Sequence, residues 1–140
     1  MRISRIRVSG MTTFTIDLPY RTPPLTLNGG VPTSVPAMRA KARQIRSVRA
    51  DAATLARHTN LPLKVAHATI QLHYAPSQTR HRDPINLTPT QKALVDGLRD
   101  YGLVEDDDSR YVTDLMPVIH PKTGTGVGRL WLTIDTQEKP

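Results

Sequence analysis

The carboxylates of this 140-residue chain are unevenly placed. Glu105, Asp106, Asp107 and Asp108 stand in a row, and Asp83 lies upstream, just after the basic run Arg80-His81-Arg82. Four adjacent acids repel one another, so something positive belongs beside them, either basic side chains or a metal ion. Lys92 lies between the two acidic positions. Aspartates with a neighbouring lysine are the groups that Mg²⁺-dependent phosphodiester cleavage needs. The hard cation takes carboxylate oxygens and keeps waters, one of which attacks phosphorus, while a lysine offsets charge on the phosphate or the leaving oxygen. The competing reading is an acidic turn that pairs with arginines or caps a helix.

Other chemistry is poorly represented. There is no cysteine, which excludes disulfides, thiolate nucleophiles and cysteine zinc sites and suits a reducing cytoplasm. The five histidines (His58, His67, His73, His81 and His120) lack paired zinc spacing. GTGVG at Gly124 to Gly128 follows proline and lysine and has no GK[ST] ending, so it reads as a turn and not a phosphate loop. No serine or threonine sits in a nucleophile elbow. Aromatic residues make up 4% of the chain, too few for a base-stacking platform.

The formal charge is +7, and Asp17 is the only acid before Asp51. Arg39, Arg43 and Arg46 fall together at helical spacing within this basic half, which suggests a polyanionic partner. A solvated arginine face with no ligand is the plainer alternative. No apolar run approaches membrane-spanning length, and MRISRIRVSG is basic without the apolar stretch of a secretory signal. Residues 1–11 read as a loose basic tail with Met11 as an alternative start, residues 12–136 as one domain, and residues 137–140 as a terminal tail.

Several elements must position these groups. Thr12 to Leu18 alternates with Phe14, Ile16 and Leu18 on one face, and Ala66 to Tyr74 alternates similarly, so both are expected strands. Pro19 to Pro36, with five prolines, is expected to be a loop or mobile arm. Ala37 to His58 is an expected helix with Ile45, Val48, Ala52 and Leu55 as its apolar stripe. Thr88-Pro89-Thr90-Gln91 reads as a capping box opening a second helix, which buries Leu94, Leu98 and Tyr101 and closes at Gly102. Tyr111 to Ile119 and Arg129 to Ile134 read as a β-hairpin across HPKTGTGVG. The order β-α-β-α-β-β predicts an α+β domain, a small mixed sheet with helices packed on one face.

Geometry constrains the acidic site. A helix over Pro89 to Tyr101 is roughly 20 Å long, so Asp107 reaches the start of that helix only if the chain doubles back. Gly102 permits the reversal, and Leu103 to Asp107 in extended form returns about 16 Å.

Taken together, the ordered motifs resemble a known family. Arg82-Asp83-x-x-Asn86-Leu87, Lys92-Ala93-Leu94-x-Asp96-Gly97-Leu98 and Gly102-Leu103-Val104-x-Asp106-Asp107 are similar to the RusA family of Holliday-junction resolvases. The closer resemblance is to its branch in phages of actinobacteria, through Thr88-Pro89-Thr90, Tyr111-Val112, Met116-Pro117 and Ile119-His120-Pro121, with FTIDLPY and PPLTLN near the start. The resemblance covers nearly everything after Met11.

The resemblance implies a homodimeric, Mg²⁺-dependent endonuclease that resolves four-way DNA junctions in the host-cell cytoplasm. Position by position, Asp83, Lys92 and Asp107 match its catalytic residues. Asp83 and Asp107 would be metal ligands, with Asp106 an outer or substitute ligand, and Arg39, Arg43, Arg46, Arg80 and Arg82 would hold the DNA backbone. One position departs: Ile85 stands where the family has a second aspartate, and isoleucine cannot coordinate magnesium. Asp108 or the side-chain carbonyl of Asn86 is the available substitute. The segment GGVPTSVPAM also replaces part of the family's DNA-contacting arm. The alternative expectation is therefore a catalytically impaired protein on the same fold that binds DNA or a host protein. A nuclease for another structured nucleic acid is the third.

Overall fold

In the computed structural model, which describes residues 2–140, the two predicted alternating segments become the interior of a six-stranded sheet. The strands are β1 (Ile3–Val8), β2 (Met11–Asp17), β3 (His67–Ala75), β4 (Val112–Asp114), β5 (Val118–Ile119) and β6 (Arg129–Gln137). Their order is β1-β2-β6-β3-β4, with β5 pairing β3 beyond β4 along the same edge. Helices α1 (Val35–His58) and α2 (Thr88–Tyr101) complete the fold. It is a mixed α+β domain, as the sequence predicts.

Burial follows the pleat. Phe14 and Ile16 on β2, Ala68, Ile70, Leu72 and Tyr74 on β3, and Leu130, Leu132 and Ile134 on β6 are all buried. They share one face of the sheet, as period-two alternation requires. The helices close this core with Val48, Ala52, Leu55 and Ala56 from α1 and Ala93, Leu94, Val95 and Leu98 from α2. The helices approach closely at Gly97, where a Cβ would stand 2.2 Å from the Arg49 carbonyl oxygen and 2.7 Å from the Ala52 Cβ. The sheet's other face is half-open and carries Thr13, Thr15, His67, Gln71, His73, Trp131 and Thr133.

Four expectations are corrected. The predicted tail over residues 1–11, of which Met1 lies outside the described residues, is not loose from Ile3 onward: β1 pairs with β2 through a two-residue turn in which Ser9 (φ 49°) and Gly10 (φ 77°) take the left-handed backbone that suits a tight hairpin. Tyr111 to Ile134 is not a hairpin. Instead β4 and β5 each lie parallel to β3, while β6 inserts antiparallel between β2 and β3. The capping box does not form, because Thr88 is already helical and its hydroxyl donates to the Ile85 carbonyl. The Pro19 to Pro36 segment is the expected loop up to Ser34 but not a free arm: it is pinned at its middle, where Leu25 is buried and bonded at both backbone groups to Thr90.

α1 begins at Val35, two residues before the predicted start, with Ser34 accepting the Ala37 N–H at 3.2 Å. Its first half stands clear of the body, exposed or partly so from Val35 to Ser47, including Ile45 of the predicted stripe.

Candidate functional site

α2 is held at its first turn by side chains that cap nothing. Gln91 is buried; its Oε1 accepts the Leu72 N–H at 2.8 Å and its Nε2 donates to the Leu115 carbonyl at 2.7 Å. Thr90 accepts the Leu25 N–H at 3.0 Å and donates to the Leu25 carbonyl at 2.7 Å. A buried amide or hydroxyl with every partner in place fixes its neighbours in one arrangement. Lys92, the next residue, is thus delivered to the surface from a fixed base.

At the other end of α2, Gly102 adopts φ 104° and closes the helix. Its N–H donates to the Leu98 and Arg99 carbonyls, and the chain turns back. Leu103 and Val104 are buried, which anchors the returning segment. The reversal brings Asp107 Oδ2 to 3.2 Å from Lys92 Nζ, and the same ammonium donates to Asp96 Oδ1 at 2.9 Å.

The run of four acids is fully matched by cations. Glu105 pairs with Lys139 at 3.2 Å, Asp106 with Arg99 at 3.7 Å, and Asp108 with Arg110 at 2.8 Å. Asp107 pairs with both Lys92 and Arg99, the latter at 3.5 Å. Arg99 also reaches Asp100, which is bound by Arg49 of α1. The chain of charges runs from α1 to the first turns of α2.

The electrostatics set the protonation states. The Asp107 carboxyl is pushed down to about 2, first by its interaction with the Asp96 carboxyl and then by Lys92. The Lys92 ammonium is raised by hydrogen bonds to Asp96 and Asp107, with desolvation opposing. Asp114, at the end of β4, moves the other way. Desolvation raises it, and the charges of Asp96 and Asp107 add to this against Lys92. Asp107 is therefore an anion and Lys92 a cation, while the Asp114 carboxyl is shifted in the opposite sense, upward.

Lys92 and Asp96 also line a cleft of about 970 Å³ between α2, the free half of α1 and the loop at Pro24 to Pro32. Lys41 and Arg43 stand on its opposite wall. Arg39 and Arg46 lie on the exposed surface of the same helix half.

Asp83, Arg80 and Arg82 occupy a second hollow of about 730 Å³, together with Asn86 and Tyr74. Asp83 caps the short turn Pro84–Leu87, its Oδ1 accepting the Ile85 N–H at 3.2 Å. Arg82 donates to the Gln78 carbonyl at 2.8 Å and stands 5.8 Å from the Tyr74 ring centre. Ile85 is 46% exposed. Thr26 borders both the hollow and the cleft. The structure thus unites Lys92, Asp106 and Asp107 in one cluster and Asp83, Arg80 and Arg82 in a neighbouring one.

Among the described residues, no three His, Cys, Asp or Glu side chains form a ready-made metal group. Asp96 and Asp114 belong to the cluster but are not singled out by the sequence reading. Asp96 lies four residues after Lys92 on one helix face, a spacing that was available; Asp114 carries no such signal.

No family model and no curated protein matches the chain. Among solved structures it is similar to the OmpA-like domain of FopA1 from Francisella tularensis subsp. tularensis SCHU S4, with 10% identity, 99% of this chain and 83% of that one covered, and a TM-score of 0.41. A likeness at that score carries no argument about fold or function. Among the described residues, no helix is long and apolar enough to cross a membrane.

Proposed function

We propose that the chain is a RusA-like, Mg²⁺-dependent endonuclease acting on four-way or other branched DNA, as a homodimer in the host-cell cytoplasm. The observation that carries this reading is the 3.2 Å contact between Lys92 and Asp107 at the rim of a cleft whose far wall is basic. The donor types suit the ion, although among the described residues they are not gathered into one group of three. Asp107, Asp106 and Asp96 offer carboxylate oxygens, and Asp83 keeps one oxygen free of its contact with Ile85. A bound Mg²⁺ would supply a Lewis acid and an acidified water.

The chain's own residues do the rest. Lys41 and Arg43 draw the phosphodiester backbone into the cleft, and Arg39 and Arg46 extend the contact along α1. Lys92 keeps its proton and donates to the phosphate or the departing oxygen. Asp107 stays ionised at every working pH and acts as ligand or acceptor, never as acid.

A second reading, a catalytically impaired protein that binds DNA or a host protein, is favoured by Ile85, whose exposed side chain offers no donor where the resembled family has an aspartate. One assay separates the two. The native chain, Ile85→Asp and Asp107→Asn are each given a labelled four-way junction with Mg²⁺. Cutting by the native chain that Asp107→Asn abolishes supports the nuclease. Tight binding without cutting, with activity gained in Ile85→Asp, supports the impaired form. Absence of binding at low salt overturns both DNA readings.

A further inference from the structure

Among the described residues β1 is the outermost strand, with β2 as its single neighbour, and all six of its residues are exposed. Such an edge offers a row of unused backbone donors and acceptors. The register says which ones. The Arg2 carbonyl accepts the Asp17 N–H at 3.0 Å, so residues of that parity turn their backbone toward β2. Ile3, Arg5 and Arg7 therefore turn their N–H and C=O groups outward.

The side chains sort with equal clarity. Arg5 and Arg7 lie opposite Phe14 and Thr12 on the helix-covered side of the sheet, and Arg7 reaches Glu138 at 3.4 Å. Ile6 and Val8 lie on the open side and are 62% and 66% exposed. From Arg5 to Val8 one side of the edge is thus cationic and the other apolar, with Ile3 continuing the first side and Ser4 the second. A second copy of β1 is a poorer occupant, since antiparallel self-pairing centred on Arg5 or Ile6, the registers with the longest overlap, sets arginine against arginine.

We propose that the free edge of β1 takes up an extended acidic peptide as an added strand, its acids facing Arg5 and Arg7 and its alternate apolar residues facing Ile6 and Val8. Main-chain hydrogen bonds at Ile3, Arg5 and Arg7 supply affinity, and the alternation supplies specificity. This surface is separate from the Lys92 cleft and does not depend on the nuclease reading.

The test uses the full chain and labelled synthetic peptides in about 0.15 M salt, read by fluorescence anisotropy. The probe is Glu-Val-Glu-Ile-Glu-Val, compared with the block isomer Glu-Glu-Glu-Val-Val-Ile and with a lysine analogue. The alternating acidic peptide is expected to bind at least about tenfold tighter than the block isomer, and the lysine analogue not at all. Arg5→Glu with Arg7→Glu abolishes binding. Arg5→Pro does the same while keeping the β1–β2 ladder, because the amide it removes points outward. N-methylation of the peptide amides that face β1 gives the same loss with the protein unaltered. Equal binding of the block isomer, or tolerance of N-methylation, overturns the proposal. So does an edge whose arginine reversal weakens junction DNA binding while no peptide binds, since that edge would be a nucleic-acid surface.

Discussion

Lys92 and Asp107 are fifteen residues apart in the chain and 3.2 Å apart in the fold. The contact exists because Gly102 allows the helix to end and the chain to return, and because Leu103 and Val104 bury themselves on the way back. Replacing Lys92 by Met removes a cation from Asp107 and Asp96 together. The Asp107 carboxyl, held near 2 first by Asp96 and then by Lys92, is expected to rise part of the way toward the ordinary aspartate range near 3.9. Carbon-13 NMR titration of the aspartate carboxyls measures this directly, and an unchanged midpoint would show that Lys92 does not govern the site.

Gln91→Leu should be costly. It strands the buried Leu72 amide and removes the partner of the part-buried Leu115 carbonyl. Leaving the buried Leu72 amide unpaired costs about 1–3 kcal/mol, and the more open Leu115 carbonyl less. A urea series should show a lower midpoint at an unchanged slope. A variant as stable as the parent would mean that water replaces the amide.

Gly97→Ala tests the helix crossing. The added methyl meets backbone, the Arg49 carbonyl, which has no flexible end to swing away. Overpacking of this kind costs about 1–3 kcal/mol, and the loss should appear in thermal unfolding. The Arg49–Asp100 pair, beside the crossing, should weaken with it.

His73 gives a pH signature. Its Nδ1 lies 2.9 Å from His120 Nε2, its Nε2 lies 2.9 Å from Thr133 Oγ1, and its ring stacks on Trp131. Burial, followed by repulsion from His120, lowers its pKa from the ordinary value of about 6.5. The unfolded state then binds the proton more readily. Stability is full above about 6.5 and declines as pH falls through the depressed folded value. Urea midpoints between about pH 7.5 and 5 should fall for the native chain and fall less for His73→Gln; parallel slopes would refute the assignment.

Much of the architecture was legible because it repeats at short range. β2 and β3 alternate strictly, and the α1 stripe at Val48, Ala52 and Leu55 recurs at helical spacing, so both periods announce themselves. β1 was not, since Arg5 and Arg7 interleave with Ile6 and Val8 and neither side is buried. β4 and β5 have three and two residues, and their parallel pairing with β3 spans more than forty positions. No local pattern encodes such a pairing, and a nearby glycine-rich turn suggested a hairpin instead. Within the site, the reversal at Gly102 was readable from one glycine and a distance. The partition of Asp83 from Asp107, and the partners of Gln91 and His73, depend on how sheet and helices meet.

The placement of Gln91 has a consequence for motion. One amide spans β3, α2 and the segment ahead of β5, so α2 cannot lift from the sheet without unpairing the Leu72 N–H and the Leu115 carbonyl. Local lifting of α2 is thereby disfavoured, and amide exchange at Leu72 should be among the slowest in the chain. Lys92, one position along, inherits that stillness, while the protruding start of α1 across the cleft is left free to adjust to whatever enters.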